Sequence, residues 1–344
     1  MSKELILIEN LTFERLPVPI EIQAFAGQAR DYADQARSVS TRRSYAGDVR
    51  SWTSWCEVHN ACPLPASTAT LLAYLINGAE RLKVSTLRRH LTAIREYHAA
   101  SGYAVDTASA AFKDTWRGIQ RAEGRPANKK SPLVTADLRR AVEALPATLT
   151  GKRDRALLLI GFAAALRRSE LASLEVTARD GASRIEDRPD GLVVFLGRSK
   201  TDQGGVGAEV GIPYGSNPAT CPVRNYRAWL KAAKIKAGPA FRPVTRHGKI
   251  GEKAITGRAV ARIVKRAVVA QAMADGASRR QAEQRAKAFA GHSLRSGLAT
   301  SAAANDAPGH AIQRQLRHKK FDTTAGYIRA GQLFKQNAAG MAGL

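Results

Sequence analysis

Cysteine, methionine and aromatic residues are scarce in this chain, with three cysteines, three methionines and 6% aromatics among 344 residues. An odd number of cysteines with no C-x-x-C spacing argues against a disulfide framework. Cys56, His59 and Cys62 raise the question of a metal site. Cys56, however, falls on the apolar stripe of a predicted helix and no fourth ligand is near, so it reads as a small buried hydrophobe. Long hydrophobic runs are missing, and no segment reaches the roughly 18 apolar residues of a membrane span. The start, Met1-Ser2-Lys3-Glu4 followed by Leu5 to Ile8, is too short and too acidic for a signal peptide, so a cytosolic protein with no membrane partner is expected. There is no Walker A loop, no H-E-x-x-H, no zinc spacing and no nuclease-like carboxylate cluster, so neither a cofactor nor a metal is expected. Negative charge is also in short supply: 29 acidic residues face 54 basic ones, a net +25 with pI near 10.6.

That cationic surplus is the first positive signal. It predicts attraction to a polyanion and a steep salt dependence. DNA, RNA, the ribosome and an anionic membrane surface all satisfy it at this stage. With 44% apolar residues the chain can build real cores, and its length suits two domains. The charge is unevenly divided: residues 1–130 carry 18 basic and 13 acidic groups, whereas residues 131–344 carry 36 and 16.

Residues 1–19 show no period and are interrupted by Pro17 and Pro19, as in an extended arm. Residues 20–123 read as an all-α domain. A first helix runs near Ile20 to Ala36. Ser40 is the expected N-cap of a second, whose stripe is Tyr45, Val49, Trp52 and Cys56. A third covers Thr68 to Ala79, turning Leu71, Leu72 and Leu75 inward. Ser85 is the expected cap of a fourth with the stripe Leu87, Leu91, Ile94 and His98, and Phe112, Trp116 and Ile119 mark another. Arg42, Arg43, Lys83, Arg88 and Arg89 fall on the outer faces, where they are either ordinary solvated charge or DNA contacts. Residues 124–132, Gly-Arg-Pro-Ala-Asn-Lys-Lys-Ser-Pro, have the composition of a linker, and its Lys129 and Lys130 join the candidate contacts.

The second domain, residues 133–344 including a C-terminal tail, opens with Thr135 as the expected N-cap before Leu138, Val142 and Leu145. Lys152 to Leu174 is strongly apolar and forms one helix or two in sequence. The period then changes. Gly191 to Leu196 is rich in strand formers, Ala208 to Pro213 returns as its partner, and residues 202–207 form a flexible turn. Helical spacing resumes with Val223, Tyr226, Trp229 and Leu230, and again with Val260, Ile263, Val264 and Val268. Arg279 to Ala290 reads as a solvent-facing helix. The expected fold class is mainly α with a small antiparallel sheet: a helical N-terminal domain followed by an α+β domain.

Chemistry on a phosphodiester without a metal needs a nucleophile, cations for the transition-state charge and an acid for the leaving oxygen. The second domain offers such groups. Arg167, Arg168 and Glu170 interrupt an apolar helix, where the plain reading is an Arg167/Glu170 ion pair at i,i+3. His292 and Arg295 lie three apart, on one face of a helix. Lys200 stands at the end of the strand segment beside the flexible turn. Tyr327 occupies a basic stretch from Leu316 to Arg329; its phenol, with a free pKa of about 10, is a poor nucleophile without cationic help.

Taken together, A-L-R-R-S-E-L at 165–171, R-S-K-T at 198–201, G-H-S-L-R at 291–295 and L-R-H-K-K…G-Y-I-R at 316–329 resemble the tyrosine recombinase (phage integrase) family, Cre- and Xer-like, in order and separation. The resemblance covers about 135 to 335, and the helical first domain looks like the family's core-binding domain. It implies that Arg167 and Arg295 bind the scissile phosphate and that Lys200 protonates the 5′-oxygen leaving group. His292 is then an acid/base and phosphate contact, His318 fills the histidine-or-tryptophan position, Tyr327 is the nucleophile, and Glu170 supports the site. It further implies double-stranded DNA carrying a specific recombination site, a 3′-phosphotyrosyl intermediate, no cofactor, and a tetramer assembled on two sites, with accessory proteins possible. Lys319 and Lys320 join the candidate DNA contacts, and a tail of this kind often docks on a neighbouring subunit. Three positions depart from the family pattern: Ala165 where glycine is frequent, Arg168 where an apolar residue is, and Arg317 where glycine commonly precedes the histidine. A topoisomerase IB-like enzyme that rejoins without exchange and a non-catalytic DNA-binding architectural protein are the alternatives.

Overall fold

The computed structural model describes residues 25–126, 129–177, 182–197 and 207–332, with Lys335 and Ala342. The expected N-terminal arm, Lys200, most of the flexible turn and nearly all of the C-terminal tail lie outside the described residues. The chain divides into two compact units, Met1–Asn128 and Lys129–Leu344. Among the described residues, no helix is long and apolar enough to cross a membrane.

The first unit holds helices α1 (Ala26–Gln35), α2 (Val39–Val58), α3 (Thr68–Ala79), α4 (Val84–Ala100) and α5 (Ala110–Glu123). The start of α2 is set by Ser38, whose hydroxyl accepts from the Thr41 N–H, so the cap lies two residues before the expected Ser40. Similarly, α4 follows Lys83 in the cap position with no side-chain cap, and Ser85 is already inside the helix. Ser67 caps α3 by accepting from Thr70 N–H. The apolar stripes meet in a core of Trp52, Cys56, Leu71, Tyr74, Leu75, Leu87, Ile94 and Phe112. Burial raises the Cys56 thiol pKa to about 11, as suits a packed hydrophobe, while Cys62 is exposed. His98 is fully buried and satisfied: its Nε2 accepts from Ala66 N–H and its Nδ1 donates to the Ile94 carbonyl.

The second unit contains α6 (Thr135–Glu143), α7 (Leu149–Ala163), α8 (Arg168–Ala172), β1 (Arg184–Arg188), β2 (Gly191–Leu196), β3 (Ala208–Pro213), α9 (Pro222–Ala233), α10 (Gly257–Ala274), α11 (Arg279–Ala286), α12 (Ser293–Ala304), α13 (Gly309–Leu316) and α14 (Phe321–Gly331). The cap position of α6 is Val134, with Thr135 as the first helical residue. The apolar run from Lys152 is two helices, because α7 stops at Ala163 and the chain reverses before α8. α11 is less solvent-facing than its composition indicates, since Ala282 and Ala286 are buried.

The sheet is antiparallel in the order β1-β2-β3, with Val194 opposite both Ile185 and Val210. β1 is absent from the sequence reading because its residues, Arg-Ile-Glu-Asp-Arg, show a single apolar side chain and hence no visible alternation. Arg184 instead covers the Phe195 ring, its guanidinium carbon 4.0 Å from the centroid. The main core of this unit gathers α6, α7, α9, α10 and the inner sheet face around Leu157, Trp229, Phe241 and Val264. A smaller cluster of Ala165, Ala299, Ala303, Ile312 and Leu316 lies under α14, with Tyr327 and Ile328 packed on it. Gly297 on α12 allows a close backbone approach: a Cβ there would fall 2.0 Å from the Leu133 carbonyl oxygen.

Candidate functional site

Arg167 stands where α7 has ended and α8 begins. The reversal is made by Ala165, left-handed at φ 49°, after which Leu166 N–H returns to the Gly161 carbonyl. Arg167 occupies the cap position of α8 and Glu170 the third helical position. The Glu170 carboxylate therefore accepts from Arg167 twice, from the backbone N–H at 2.9 Å and from Nη1 at 2.5 Å. The i,i+3 ion pair anticipated from the sequence is present, and it is part of a larger cluster. Arg317 Nη2 donates to Oε2 of the same carboxylate, the oxygen that also accepts the Arg167 backbone N–H, at 2.9 Å. Burial alone would raise the Glu170 pKa; the Arg167 backbone N–H and the Arg317 and Arg167 guanidiniums outweigh it and hold the group below the usual range.

Arg295 projects from the first turn of α12 and is 1% exposed. Its Nη1 donates to the Ala165 carbonyl at 2.7 Å and its Nη2 to the Leu316 carbonyl. It thus joins the α7 reversal to the end of α13. Desolvation, with Arg167 and Arg317 adding repulsion, lowers its pKa to about 10, which still leaves it cationic at neutral pH.

The second half of the site comes from α12 and α14. His292 is the residue just before α12, not within it, and its Nε2 lies 3.0 Å from Tyr327 Oη. His318 follows the end of α13 and stacks on the Tyr327 ring, with centroids 6.0 Å apart and planes at 20°. Its Nδ1 is 3.0 Å from the hydroxyl of Thr324, a fully buried residue one turn before Tyr327 on α14. The His318 backbone is held as well, since its carbonyl accepts from Gln313 Nε2. Both imidazoles are kept neutral. Desolvation, then Arg295 and Arg167, lower His292, and the same causes together with His292 and Arg317 lower His318 to about 4. The phenol oxygen consequently sits beside a neutral imidazole in a field of fixed guanidinium charge.

Arg167, Glu170, His292, Arg295, His318 and Tyr327 therefore come together from four separate stretches, whereas Lys200 lies outside the described residues. The candidate contacts elsewhere differ among themselves. Arg42, Arg43, Lys83, Arg88, Lys319 and Lys320 are exposed, and so are Lys129 and Lys130. Lys130 is nonetheless tied to its own unit, its Nζ donating to the Lys287 carbonyl. Arg89 is committed more strongly: it grips Asp48 with two bonds of 2.7 and 2.8 Å. Among the described residues, no three His, Cys, Asp or Glu side chains are grouped to hold a metal ion.

The sequence reading missed three participants: Arg317, Thr324 and the Ala165 carbonyl. Arg317 and Ala165 are both left-handed, at φ 55° and 49°, the conformation in which glycine is the default residue. The departures from the glycine pattern at these positions were the visible signal.

No family model matches the chain. An integrase/recombinase of Selenomonas ruminantium described as a XerD homologue is 34% identical over 315 residues, covering 90% of this chain and 87% of the relative. Solved structures share the fold at low identity. The Tn1549 transposon integrase in complex with transposon right-end DNA aligns with a TM-score of 0.59 at 14% identity, over 94% of this chain and 98% of that one. A lambda integrase dimer bound to a core site aligns at 0.53 and 12% identity, over 95% and 85%, and the XerH site-specific recombinase in a pre-cleavage complex at 0.52 and 14%, over 86% and 79%. The extent and level of the match to the Selenomonas ruminantium protein, on a fold with a small antiparallel sheet among helices, establish that the chain belongs to the tyrosine recombinase family and is a site-specific recombinase of that class.

Proposed function

We propose that this recombinase binds double-stranded DNA at a specific site and cleaves it through Tyr327. The observation that carries the reading is the 3.0 Å approach of Tyr327 Oη to His292 Nε2 beside the buried Arg295. Tyr327 Oη attacks the scissile phosphorus as its proton passes to the neutral His292, and the P–O5′ bond breaks. Arg167 and Arg295 hold the non-bridging oxygens; planar guanidiniums suit that task because they offer paired, directed donors. Lys200, by family resemblance, gives a proton to the departing 5′-oxygen. The product is a 3′-phosphotyrosyl link that keeps the energy of the original ester, so rejoining to a partner strand needs no nucleotide hydrolysis. His318 packs against the attacking ring and limits its rotation.

The helical first unit serves as a DNA-binding domain in this scheme, residues 124–132 as the linker and residues from 133 as the catalytic domain. Arg42, Arg43, Lys83, Arg88, Lys129, Lys319 and Lys320 are its backbone contacts, and a tetramer on two sites completes strand exchange in the cytoplasm. The net charge of +25 supports a polyanionic partner.

The test begins with nicked suicide duplexes carrying a randomised segment. The protein should form a covalent adduct with a sequence subset, and Tyr327→Phe should form none. Absence of any adduct would sink the catalytic reading and leave a DNA-binding architectural role. Recombinant product from two copies of the captured sequence separates strand exchange from topoisomerase-like rejoining.

A further inference from the structure

Arg317 ends α13 in a left-handed conformation, φ 55°, which costs a residue bearing a side chain more than it costs glycine. What offsets that cost is the reach of the guanidinium. It donates to four acceptors: the carbonyls of Ala164, Gln315 and Ala165, and Glu170 Oε2. The side chain is 11% exposed, so it is turned into the protein, unlike the neighbouring Lys319 and Lys320. Glu170 is therefore held from two directions, by Arg167 and by Arg317. The Ala165 carbonyl is likewise shared, receiving Arg295 Nη1 as well as Arg317 Nη2.

These bonds tie Arg317 to the groups that frame the site. Its backbone fixes the start of the His318 segment. Its side chain fixes both the α7 reversal that aims Arg167 and the carboxylate that orients the Arg167 guanidinium. We propose that Arg317 is a positioning residue of the recombinase, holding Arg167 and Arg295 in register with His318 through Glu170 and the Ala164–Ala165 reversal. Its side-chain hydrogen bonds run to these protein groups and not to Tyr327. The proposal rests on the assignment of Tyr327 and the arginines above.

Arg317→Gly is the informative substitution, because glycine suits the left-handed backbone while the side chain and its guanidinium are removed. Single-turnover cleavage of the captured suicide duplex should slow by about 100-fold, the scale of a small misplacement of catalytic groups. Affinity for the same duplex, measured with uncleavable ends, should stay close to that of the unaltered protein. Added methylguanidinium should restore cleavage by Arg317→Gly and leave Tyr327→Phe inactive. Glu170→Gln should slow cleavage too, and the double variant should be slowed less than the product of the two single effects, because part of the Arg317 effect runs through Glu170. Arg317→Lys, which keeps charge but offers no planar fork, should fall between; it carries the test if thermal unfolding shows that the glycine variant does not fold. Cleavage by Arg317→Gly at the unaltered rate, a loss matched by lost affinity, or multiplicative effects in the double variant would overturn the proposal. An unaltered protein that forms no adduct would instead overturn the catalytic assignment itself.

Discussion

Two buried carboxylates, one in each unit, meet the same problem and reach opposite outcomes. Asp48 in the first unit is 3% exposed, gripped by Arg89 and 3.0 Å from His90 Nε2. His90 in turn accepts at Nδ1 from the Tyr74 hydroxyl at 2.7 Å, and burial keeps that phenol's pKa up at about 12. The chain of donors is closed, and the charges nearly cancel. Glu170 in the second unit is 7% exposed, but one carboxylate there is bonded by two guanidiniums, those of Arg167 and Arg317, with the charge of Arg295 also within its influence. The Asp48 network is finished without a ligand; the Glu170 cluster carries surplus positive charge. A buried surplus of this kind is costly unless something else is gained, and under the proposed function the gain is a bound phosphate.

The strongest way to break that contrast is to remove one arginine from each network. Arg295→Ala should cut single-turnover DNA cleavage by about 10³-fold, as expected on losing a preorganised donor to transition-state charge. Arg89→Ala should instead lower the stability of the first unit by about 2–3 kcal/mol, because Asp48 stays buried with one partner fewer, and should leave cleavage by folded protein intact. Denaturant melts and suicide-substrate kinetics on the two variants separate the effects. Equal loss of cleavage in both would erase the distinction between a closed and an open cluster.

A smaller effect should appear with pH. Unfolded His318 titrates near 6.5 and the folded residue near 4, so between those values the unfolded chain binds more protons and the DNA-free protein loses stability as pH falls. A bound phosphate reverses part of the guanidinium field on His292 and His318. DNA binding should therefore take up protons, more at about pH 5.5 than at about pH 8. Calorimetry in buffers of different ionisation enthalpy measures the uptake, and a zero count at both pH values would rule the effect out.

The smallest change is expected outside the cluster. Replacing Lys319 and Lys320 by alanine should weaken DNA binding a few-fold at moderate salt and flatten the salt slope, while leaving cleavage possible at saturation. An unchanged salt titration would show that these exposed lysines only keep the segment solvated.

Much of this was legible in the sequence because it rests on local rules. Helical spacing located the stripes through Trp52, Leu75 and Ile94, and strand formers located β2 and β3. The errors were local too. Ser40 and Ser85 are plausible caps, but a cap is chosen by which hydroxyl meets a free N–H, and Ser38 meets it first. β1 escaped because an edge strand with one buried side chain has no period to detect. Arg89 looked like any other surface arginine, since the buried Asp48 that claims it is 41 residues away.

For the site, the sequence by itself determined the inventory: a tyrosine, histidines and arginines in the order of the tyrosine recombinases, on a chain charged to attract a polyanion. Residue type and spacing suffice for that, because the chemistry of phosphate and phenol restricts which side chains can serve. Only the tertiary structure decided how each of the cations is held. Arg317 is drawn inward, and Arg89, though exposed, is engaged by a buried carboxylate, in both cases by acceptors that sequence separation hides, and Arg295 is buried against two carbonyls. Desolvation and neighbouring charge, both properties of packing, then keep His292 and His318 neutral beside Tyr327.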